Sequence, residues 1–565
     1  MNWVISPPMG PEPVLRPPET VMRLARMGSF HQTRLSFMRS LLRRLAREDW
    51  RLKRERFDLD DKGVGTAVYA VETPSGTVRL VAFGHELAPE DRTDRVIAER
   101  WDATFTLTTG PADEAAIARL RANVPLQEAG RCSPKEFVLS RANKSMRLFE
   151  GVIADLAAGR QPKAEDISGI GYLMRTTAVY GNGKFGLSDL ANTFGSGLFS
   201  RPFEAELFTV YLIREFTFDL VAHLARVRAP ETAVALAPET KRMLGIGNAT
   251  GLGMAPFLLG HPKLINAWMA ARETAIARVR ELPMADAAAV ARFFKAFERA
   301  IAHVKEWRTE DARFMARIET LRAEMPAFRA WLEENDPFQG SKPWDAICRT
   351  AEERLSIEGQ ELVNSLILEP HGELVDDLED ALTSDECLVL DPAMTLGALA
   401  ELIRANYAWA LEPDYDDPAA QHFFWYVSEE KLEPRLGERF SEPGAEKEMP
   451  IGVGREVKRL YEAIRDLDPA LSTAAFLMRA PEHRRTLRRV QGLAHFPYAE
   501  IRDNLLARDM VAVDLLRCKL AMFGAIKFDP KSDRWTRITM YQGAPAFADL
   551  DARSADDWAF PAFLG

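Results

Sequence analysis

The sequence predicts a predominantly helical α+β protein, and three observations support that fold class. Long stretches with apolar residues spaced by three and four recur between residues 202 and 333, as in helices with one buried face. Two alternating segments, residues 65–71 and 77–83, flank a Thr-Pro-Ser-Gly turn and predict an antiparallel hairpin. The chain has 565 residues and exceeds the size, about 250–300 residues, at which single hydrophobic cores stop growing, so several packed units are expected.

Changes in composition divide the chain into four predicted parts. Residues 1–20 are rich in proline and predict an extended arm that lies across the body or a partner. Residues 21–160 predict an α+β domain, with a small antiparallel sheet and a basic helix at its start. Residues 161–335 predict a large helical domain with glycine-rich loops. Residues 336–565 predict a mixed C-terminal domain of helices and short strands.

The elements of the N-terminal domain follow from local patterns. Leucine and methionine at helical spacing predict a helix over residues 21–56, and the strands of the sheet are expected within residues 64–108. Two further helices are predicted at residues 112–123 and 134–158. The second has serine followed by proline at its start, which is typical of a helix N-terminus.

The same reasoning predicts helices through the rest of the chain. They are expected at residues 202–228, 262–281, 286–308, 310–333, 344–380, 395–411, 455–466, 470–490, 498–506 and 509–523. Apolar runs at residues 422–427 and 535–541 predict short strands in the C-terminal domain.

Composition excludes several classes of protein. The net charge of −10 and the pI of about 5.6 argue against a dedicated nucleic-acid binder. The four cysteines are scattered singly, which predicts neither a zinc site nor a disulfide framework. No signal-peptide pattern and no long apolar run is found, so we expect a cytoplasmic protein without a membrane span. The high alanine and arginine content is typical of a bacterial source.

One segment reverses the acidic character of the chain. Residues 23–56 contain eleven Arg or Lys residues against three acidic ones. We expect an acidic surface of the same chain, or of a second copy, to neutralise this segment. It therefore favours assembly as a homo-oligomer over binding to nucleic acid.

A first candidate site is the segment RTTAVYGNGK, residues 175–184. Arg175, with Thr176 and Asn182, is predicted to bind a carboxylate or phosphate, because a guanidinium grips such groups through two parallel N–H bonds. Tyr180 and Lys184 are predicted to transfer protons, since a neighbouring cation lowers the pKa of either group. The alternative interpretation is a solvated turn around Asn182.

A second candidate site is the segment GIGNATGLG, residues 245–253. Its glycines allow close backbone approach, and Asn248 and Thr250 are predicted to contact substrate. His261 follows the segment and is predicted to be catalytic. The spacing departs from a dinucleotide fingerprint, because Thr250 occupies the place of the third glycine and a predicted helix precedes the segment. The alternative is a tight connection between two helices.

The sequence predicts no metal and no cofactor. Glu215, Asp219 and His223 share one face of the helix at 202–228 and are chemically adequate metal ligands, yet a solvated helix face explains them better. Motifs for a phosphate-binding loop, a zinc protease, a nucleophile elbow and a protein kinase are absent.

These observations favour a cofactor-independent acid/base enzyme that acts on a small anionic or polar organic molecule. A lyase is the most favoured type, with a decarboxylase or an isomerase also open. Two alternatives stay open. One is a non-enzymatic interaction or assembly protein that uses the basic N-terminal helix, and the other is an oxidoreductase with an atypical nucleotide site at residues 245–253. An enzyme should bring the two glycine-bearing segments together at one pocket.

Overall fold

The computed structural model describes most of the chain, and for some strand residues, Tyr180 among them, it describes only the backbone. The described residues are 14–88, 91, 100–123, 135–181, 198–199, 201–248, 262–308, 312–382, 390–417, 425–428, 435–436, 448–450, 453–502, 512–524, 527–532 and 535–561.

Helices form the larger part of the described structure. In chain order they are α1 Pro18–Val21, α2 Leu24–Met27, α3 Phe37–Arg47, α4 Glu114–Asn123, α5 Phe149–Ala157, α6 Ala164–Ser168, α7 Glu204–Arg228, α8 Pro238–Met243, α9 Pro262–Arg280, α10 Ala287–Lys305, α11 Ala312–Asn335, α12 Pro343–Arg354, α13 Ile357–Leu366, α14 Gly372–Val375, α15 Leu396–Leu411, α16 Val453–Ile464, α17 Thr473–Leu477, α18 Arg484–Leu493 and α19 Ala512–Phe523.

The described strands form one large and one small sheet. They are β1 Arg51–Leu59, β2 Gly65–Thr73, β3 Gly76–Gly84, β4 Ala103–Thr108, β5 Glu136–Lys144, β6 Tyr172–Gly181, β7 Gly245–Asn248, β8 Trp425–Ser428, β9 Arg435–Leu436, β10 Glu448–Pro450, β11 Lys527–Ser532 and β12 Trp535–Met540. The large sheet has the order β1-β2-β3-β4-β5-β6-β7-β12-β11, and the small sheet has the order β10-β8-β9. In the large sheet only β6 and β7 pair in parallel. A helical majority around a mixed sheet confirms the predicted fold class.

Two of the predicted N-terminal helices are wrong in part. The helix expected at residues 134–158 is strand β5 followed by the shorter helix α5, because residues 136–144 pair with both β4 and β6. The helix expected at residues 21–56 is divided into α1, α2 and α3, and residues 51–59 form the edge strand β1. The charges of β1 therefore lie along a sheet edge, where they discourage pairing with another chain.

Three arginines of the basic segment are neutralised inside this chain. Arg39 on α3 makes a bidentate ion pair with Glu369, at 2.8 Å for each N–O contact. On the same helix Arg43 pairs with the buried Glu379, and Arg44 Nη1 lies 2.7 Å from Glu204 Oε2. These arginines are buried, so α3 does not offer them to an external acidic partner.

The proline-rich arm is fixed to the body by Arg16, which lies just after the segment that is outside the described residues. Its guanidinium makes two bonds of 2.7 and 2.9 Å to Glu273 and a contact of 3.0 Å to Glu361. Arg26 and Arg272 also pair with Glu361, which is fully buried. These three cations hold the pKa of Glu361 at about 2, although burial alone would raise it. The end of the arm is thus anchored to the body by these ion pairs.

The apolar core follows different boundaries from the predicted domains. One cluster of buried residues combines residues 21–382 with residues 498–560, because β12 returns to pair with β7. A second cluster lies between residues 396 and 499 and is formed by helices α15 to α18. Neither cluster boundary falls at residue 160 or 335.

Among the described helices, none combines the length and apolar composition needed to cross a bilayer.

Candidate functional site at the ends of two parallel strands

The two segments singled out in the sequence lie on neighbouring strands. Arg175 on β6 is opposite Gly247 on β7, and Thr176 is opposite Asn248. The Thr176 hydroxyl donates a 3.2 Å hydrogen bond to the Gly247 carbonyl. Because these strands are parallel, both run toward the same edge of the sheet, the position at which open α/β sheets bind ligands; β7 ends at Asn248, opposite Thr176, and β6 continues to Gly181.

Helix α7 begins at that same edge. Phe208, near the start of α7, contacts Trp50, with ring centroids 5.2 Å apart. Trp50 directly precedes β1, at the end of the sheet toward which β6 runs. Near the other end of α7, His223 Nε2 lies 2.9 Å from the carbonyl oxygen of Asp60, beyond the end of β1. The helix therefore runs antiparallel to β6 and β7. Its N-terminal turn, with a positive end of the helix dipole, faces the edge at which both strands finish.

The first turn of α7 carries a buried carboxyl group that forms no ion pair with the described residues. Glu206 is only 7% exposed, and its Oε1 atom has no hydrogen-bond partner among the described residues. Burial raises the pKa of this carboxyl from 4.5 to about 7, and the bond from its own backbone N–H offsets only part of that effect. A carboxyl group that titrates near neutrality can both accept and donate a proton, which is the requirement for general acid–base chemistry.

The neighbouring acid has a structural role instead. Glu204 Oε2 accepts hydrogen bonds of 2.7 Å from Arg44 and 3.2 Å from the Arg201 backbone. These bonds join the start of α7 to α3. Glu204 and Glu206 thus lie in one helical turn but differ in their surroundings. Glu204 pairs with Arg44, whereas no described arginine pairs with Glu206.

The predicted substrate-binding residues alternate between the two faces of the sheet. Thr176 and Asn248 lie on the face covered by α7, and both are buried. Arg175 precedes Thr176 on the same strand, so its side chain lies on the opposite face, where it is 5% exposed. The segment from Arg175 to Tyr180 is not the loop that its composition predicts; it is strand β6, since it pairs with β5 along its length.

Two glycines of the second segment are explained by packing. A Cβ atom at Gly247 would lie 2.8 Å from the ring of Tyr172, and one at Gly245 would overlap the Met540 carbonyl on β12. Composition predicts a loop here, but the first four residues of the segment form strand β7 between β6 and β12. Close strand packing therefore requires these glycines without any ligand.

Several predicted residues lie outside the described part of the chain. They are Asn182, Lys184, Thr250 and His261, and for Tyr180 the description is limited to the backbone. In sequence, Asn182 and Lys184 come just after the end of β6, while Thr250 comes just after β7.

The three possible metal ligands on α7 serve separate contacts. Glu215 Oε1 accepts a 3.0 Å hydrogen bond from the Phe547 backbone, and Asp219 Oδ2 accepts one of 2.8 Å from Tyr69. His223 contacts the Asp60 carbonyl. In the described part of the chain, no group of three or more His, Cys, Asp or Glu side chains is arranged to hold a metal ion.

A buried arginine fixes α7 against the strand that follows it. Arg214 on α7 is fully buried and donates only to backbone carbonyls, including that of Leu244 immediately before β7, at 2.7 Å. It also donates to the carbonyls of Lys241, Ala544 and Pro545 at 2.7–2.8 Å. These bonds position β7 relative to α7, and they bring the C-terminal residues to the same helix.

Sequence reasoning missed Glu206. The signal that could have found it is the run PFEAELFTVYLI, residues 202–213, in which two acids interrupt an otherwise apolar helix start. An acid within such a run predicts a buried carboxyl, but only the fold reveals which of the two is paired.

Comparison of the chain with protein-family models, with curated proteins and with solved structures gave no match, so its function is argued from this geometry.

Proposed function

We propose that this protein is a cofactor-independent acid/base enzyme that binds a small anionic or polar organic molecule where β6 and β7 end, with Glu206 as a proton donor and acceptor. The observation that carries the proposal is the buried Glu206 carboxyl, whose Oε1 atom has no partner among the described residues, at the edge where two parallel strands finish. A lyase, a decarboxylase or an isomerase suits such chemistry.

The surroundings support a role in proton transfer over one in stability. Placing an unpaired carboxyl in an apolar helix start reduces stability whenever the group is ionised. Proteins retain such groups at sites where the shifted pKa is used. The pKa of Glu206, about 7, makes both protonation states accessible near neutral pH.

Other residues have proposed roles around the same edge. Thr176 and Asn248 lie on the face of the sheet that α7 covers, and their polar groups suit orientation of a substrate. Arg175 remains proposed as an anchor for an anionic substrate group, now from the opposite face of the sheet. Tyr180, Lys184 and His261 remain predictions as further proton-transfer groups.

The proposed partner is a small molecule and not nucleic acid. Arg39, Arg43 and Arg44 of α3 are paired within the chain, so neither an acidic partner nor a second copy is needed to neutralise them. Assembly as a homo-oligomer and a cytoplasmic location remain proposals that sedimentation and localisation experiments can test.

Proton exchange with solvent tests the proposal whatever the net reaction is. The full chain is incubated in D₂O with a panel of hydroxy, keto and amino acids and their phosphate esters, and deuterium incorporation is followed by NMR. We expect exchange into at least one compound. Glu206→Gln should slow that exchange by about 10²–10⁴-fold, the usual contribution of a general acid or base.

The same helix offers a matched control. Glu215 is also a carboxyl with a raised pKa, but its Oε1 accepts from the Phe547 backbone, and a glutamine preserves that acceptor. Glu215→Gln should therefore keep the exchange activity. Equal loss in both variants would assign Glu206 a structural role, and the absence of exchange with every compound would argue against the enzyme proposal.

The nucleotide-dependent alternative uses the same edge and gives a different result. An oxidoreductase should bind NAD(P)H or a flavin with a change in fluorescence, and Glu206→Gln should leave that binding intact. Such binding, together with no solvent exchange, would favour the oxidoreductase.

A further inference from the structure

A cationic cleft lies outside the strand-end site. It has a volume of about 430 Å³, within the range of small-molecule sites, and it is bounded by α10, by the turn before α14 and by the C-terminal residues 553–560. None of its lining residues belongs to β6, β7 or α7. The cleft thus joins segments that are distant from one another in the chain.

The deeper wall of the cleft is electrostatically satisfied. Arg34 makes two contacts of 2.7 Å with Asp376 and one of 3.0 Å with Asp556, and Arg39 makes its bidentate pair with Glu369. Of the nitrogens of these two guanidinium groups, the buried Nε atom of Arg39 has no hydrogen-bond partner among the described residues. The ion pairs therefore neutralise the two arginines at the floor of the cleft.

The rim of the cleft carries cations that form no ion pair among the described residues. Among the described residues, Lys295, Arg292 and Arg553 make no ion pair, and Arg292 donates only to the Pro370 carbonyl, at 3.0 Å. All three are exposed. Glu373, which also lines the cleft, contacts His371 at 3.4 Å. Positive charge therefore exceeds negative charge at the mouth of the cleft.

The remaining cation holds the C-terminal turn against α10. Arg299 Nη1 lies 3.0 Å from Asp557 Oδ1, and its guanidinium carbon lies 5.7 Å from the ring centre of Phe560. Phe560 and Ala296 supply apolar surface to the lining of the cleft. A ligand in the cleft would contact both α10 and the C-terminal turn.

We propose that this cleft is a second binding site, which takes a small organic molecule with a dianionic group, as a phosphate monoester or a dicarboxylate bears, and that Lys295 and Arg553 hold this group from opposite sides. Two cations that line one cleft and form no ion pair among the described residues suit two negative charges, and guanidinium groups match both carboxylate and phosphate oxygens. The apolar surface accommodates the uncharged part of the ligand.

Binding of defined anions to the full chain tests the site. Inorganic phosphate and succinate are titrated by calorimetry, against sodium chloride at matched ionic strength, with wild type and the double variant Lys295→Glu/Arg553→Glu. We expect saturable binding that the double variant weakens at least about tenfold, since each charge-assisted hydrogen bond contributes that much. Lys305→Glu is the control, because Lys305 is exposed on the same helix and does not line the cleft.

A second readout separates site binding from general attraction to a charged surface. Occupancy should slow hydrogen exchange in α10 and in residues 551–561 together, because one ligand connects both segments. Preferential binding of either phosphate or succinate supports the site and identifies the dianion. No saturable binding of either anion, or equal binding in wild type and the double variant, would overturn the proposal, while the solvent-exchange experiment on Glu206 would be unaffected.

Discussion

Replacing Glu206 with glutamine should stabilise the protein at neutral and alkaline pH, even though it removes the proposed acid/base group. The pKa of the Glu206 carboxyl is raised from 4.5 to about 7 by burial, so the folded protein keeps a proton that the unfolded chain releases. Stability then falls as pH rises from 4.5 to 7 and is constant outside that window. Glutamine cannot ionise and avoids this loss.

The size of the effect follows from the shift. Each pKa unit corresponds to about 1.4 kcal/mol, so the shift from 4.5 to about 7 amounts to an upper value of about 3 kcal/mol. Above pH 7 the Glu206→Gln variant should exceed wild type by up to that amount, and below pH 4.5 the two should be nearly equal. The side chain is 7% exposed, so little of the effect is lost to solvent screening.

Urea denaturation followed by tryptophan emission measures this difference. Trp268, Trp344 and Trp558 are fully buried in the same hydrophobic cluster as α7 and report unfolding of that unit. Comparing variant and wild type at each pH removes the contribution of all other titrating groups. A difference that does not change with pH, or a variant that is less stable above pH 7, would refute the assignment of an unpaired buried carboxyl.

Three further predictions concern the frame around the site. Glu361→Gln should cost about 3–5 kcal/mol in urea denaturation, because it leaves three arginines around an uncharged group, and wild-type stability should fall as pH drops from 4.5 to about 2. Gly247→Ala should lower the melting temperature, since the added methyl group meets the Tyr172 ring, whereas Gly151→Ala on α5 meets nothing and should raise it. Arg214→Lys should destabilise the protein by about 2 kcal/mol or more in urea denaturation, because an ammonium cannot reach all four carbonyls; an unchanged midpoint would contradict this role.

The helices with strong apolar periodicity were predictable from the sequence alone. Helices α7, α9 and α10 begin and end within about three residues of their predicted bounds, because a continuous apolar face specifies a helix wherever it is buried. The hairpin of β2 and β3 followed from its turn residues in the same local way.

Residues 136–144 show where local reasoning failed. Their composition permits either a helix or a strand, and a local start signal favoured the helix. Only the presence of β4 and β6 on both sides decides for the strand, and those partners are distant in sequence. The same applies to residues 245–248, whose four residues become a strand because β6 and β12 bracket them.

The candidate site shows the same difference between what local patterns reveal and what the fold adds. Composition and spacing alone showed that polar residues and glycines cluster at residues 175–184 and 245–253, and that the chain carries no familiar cofactor motif. Only the tertiary structure placed these segments on adjacent parallel strands, because strand pairing joins residues about 70 positions apart. The fold also determines that Glu204 pairs with an arginine, whereas Glu206 is buried with its Oε1 atom unpartnered among the described residues. Burial and distant partners set the pKa of a carboxyl, and neither can be read from its neighbours in the chain.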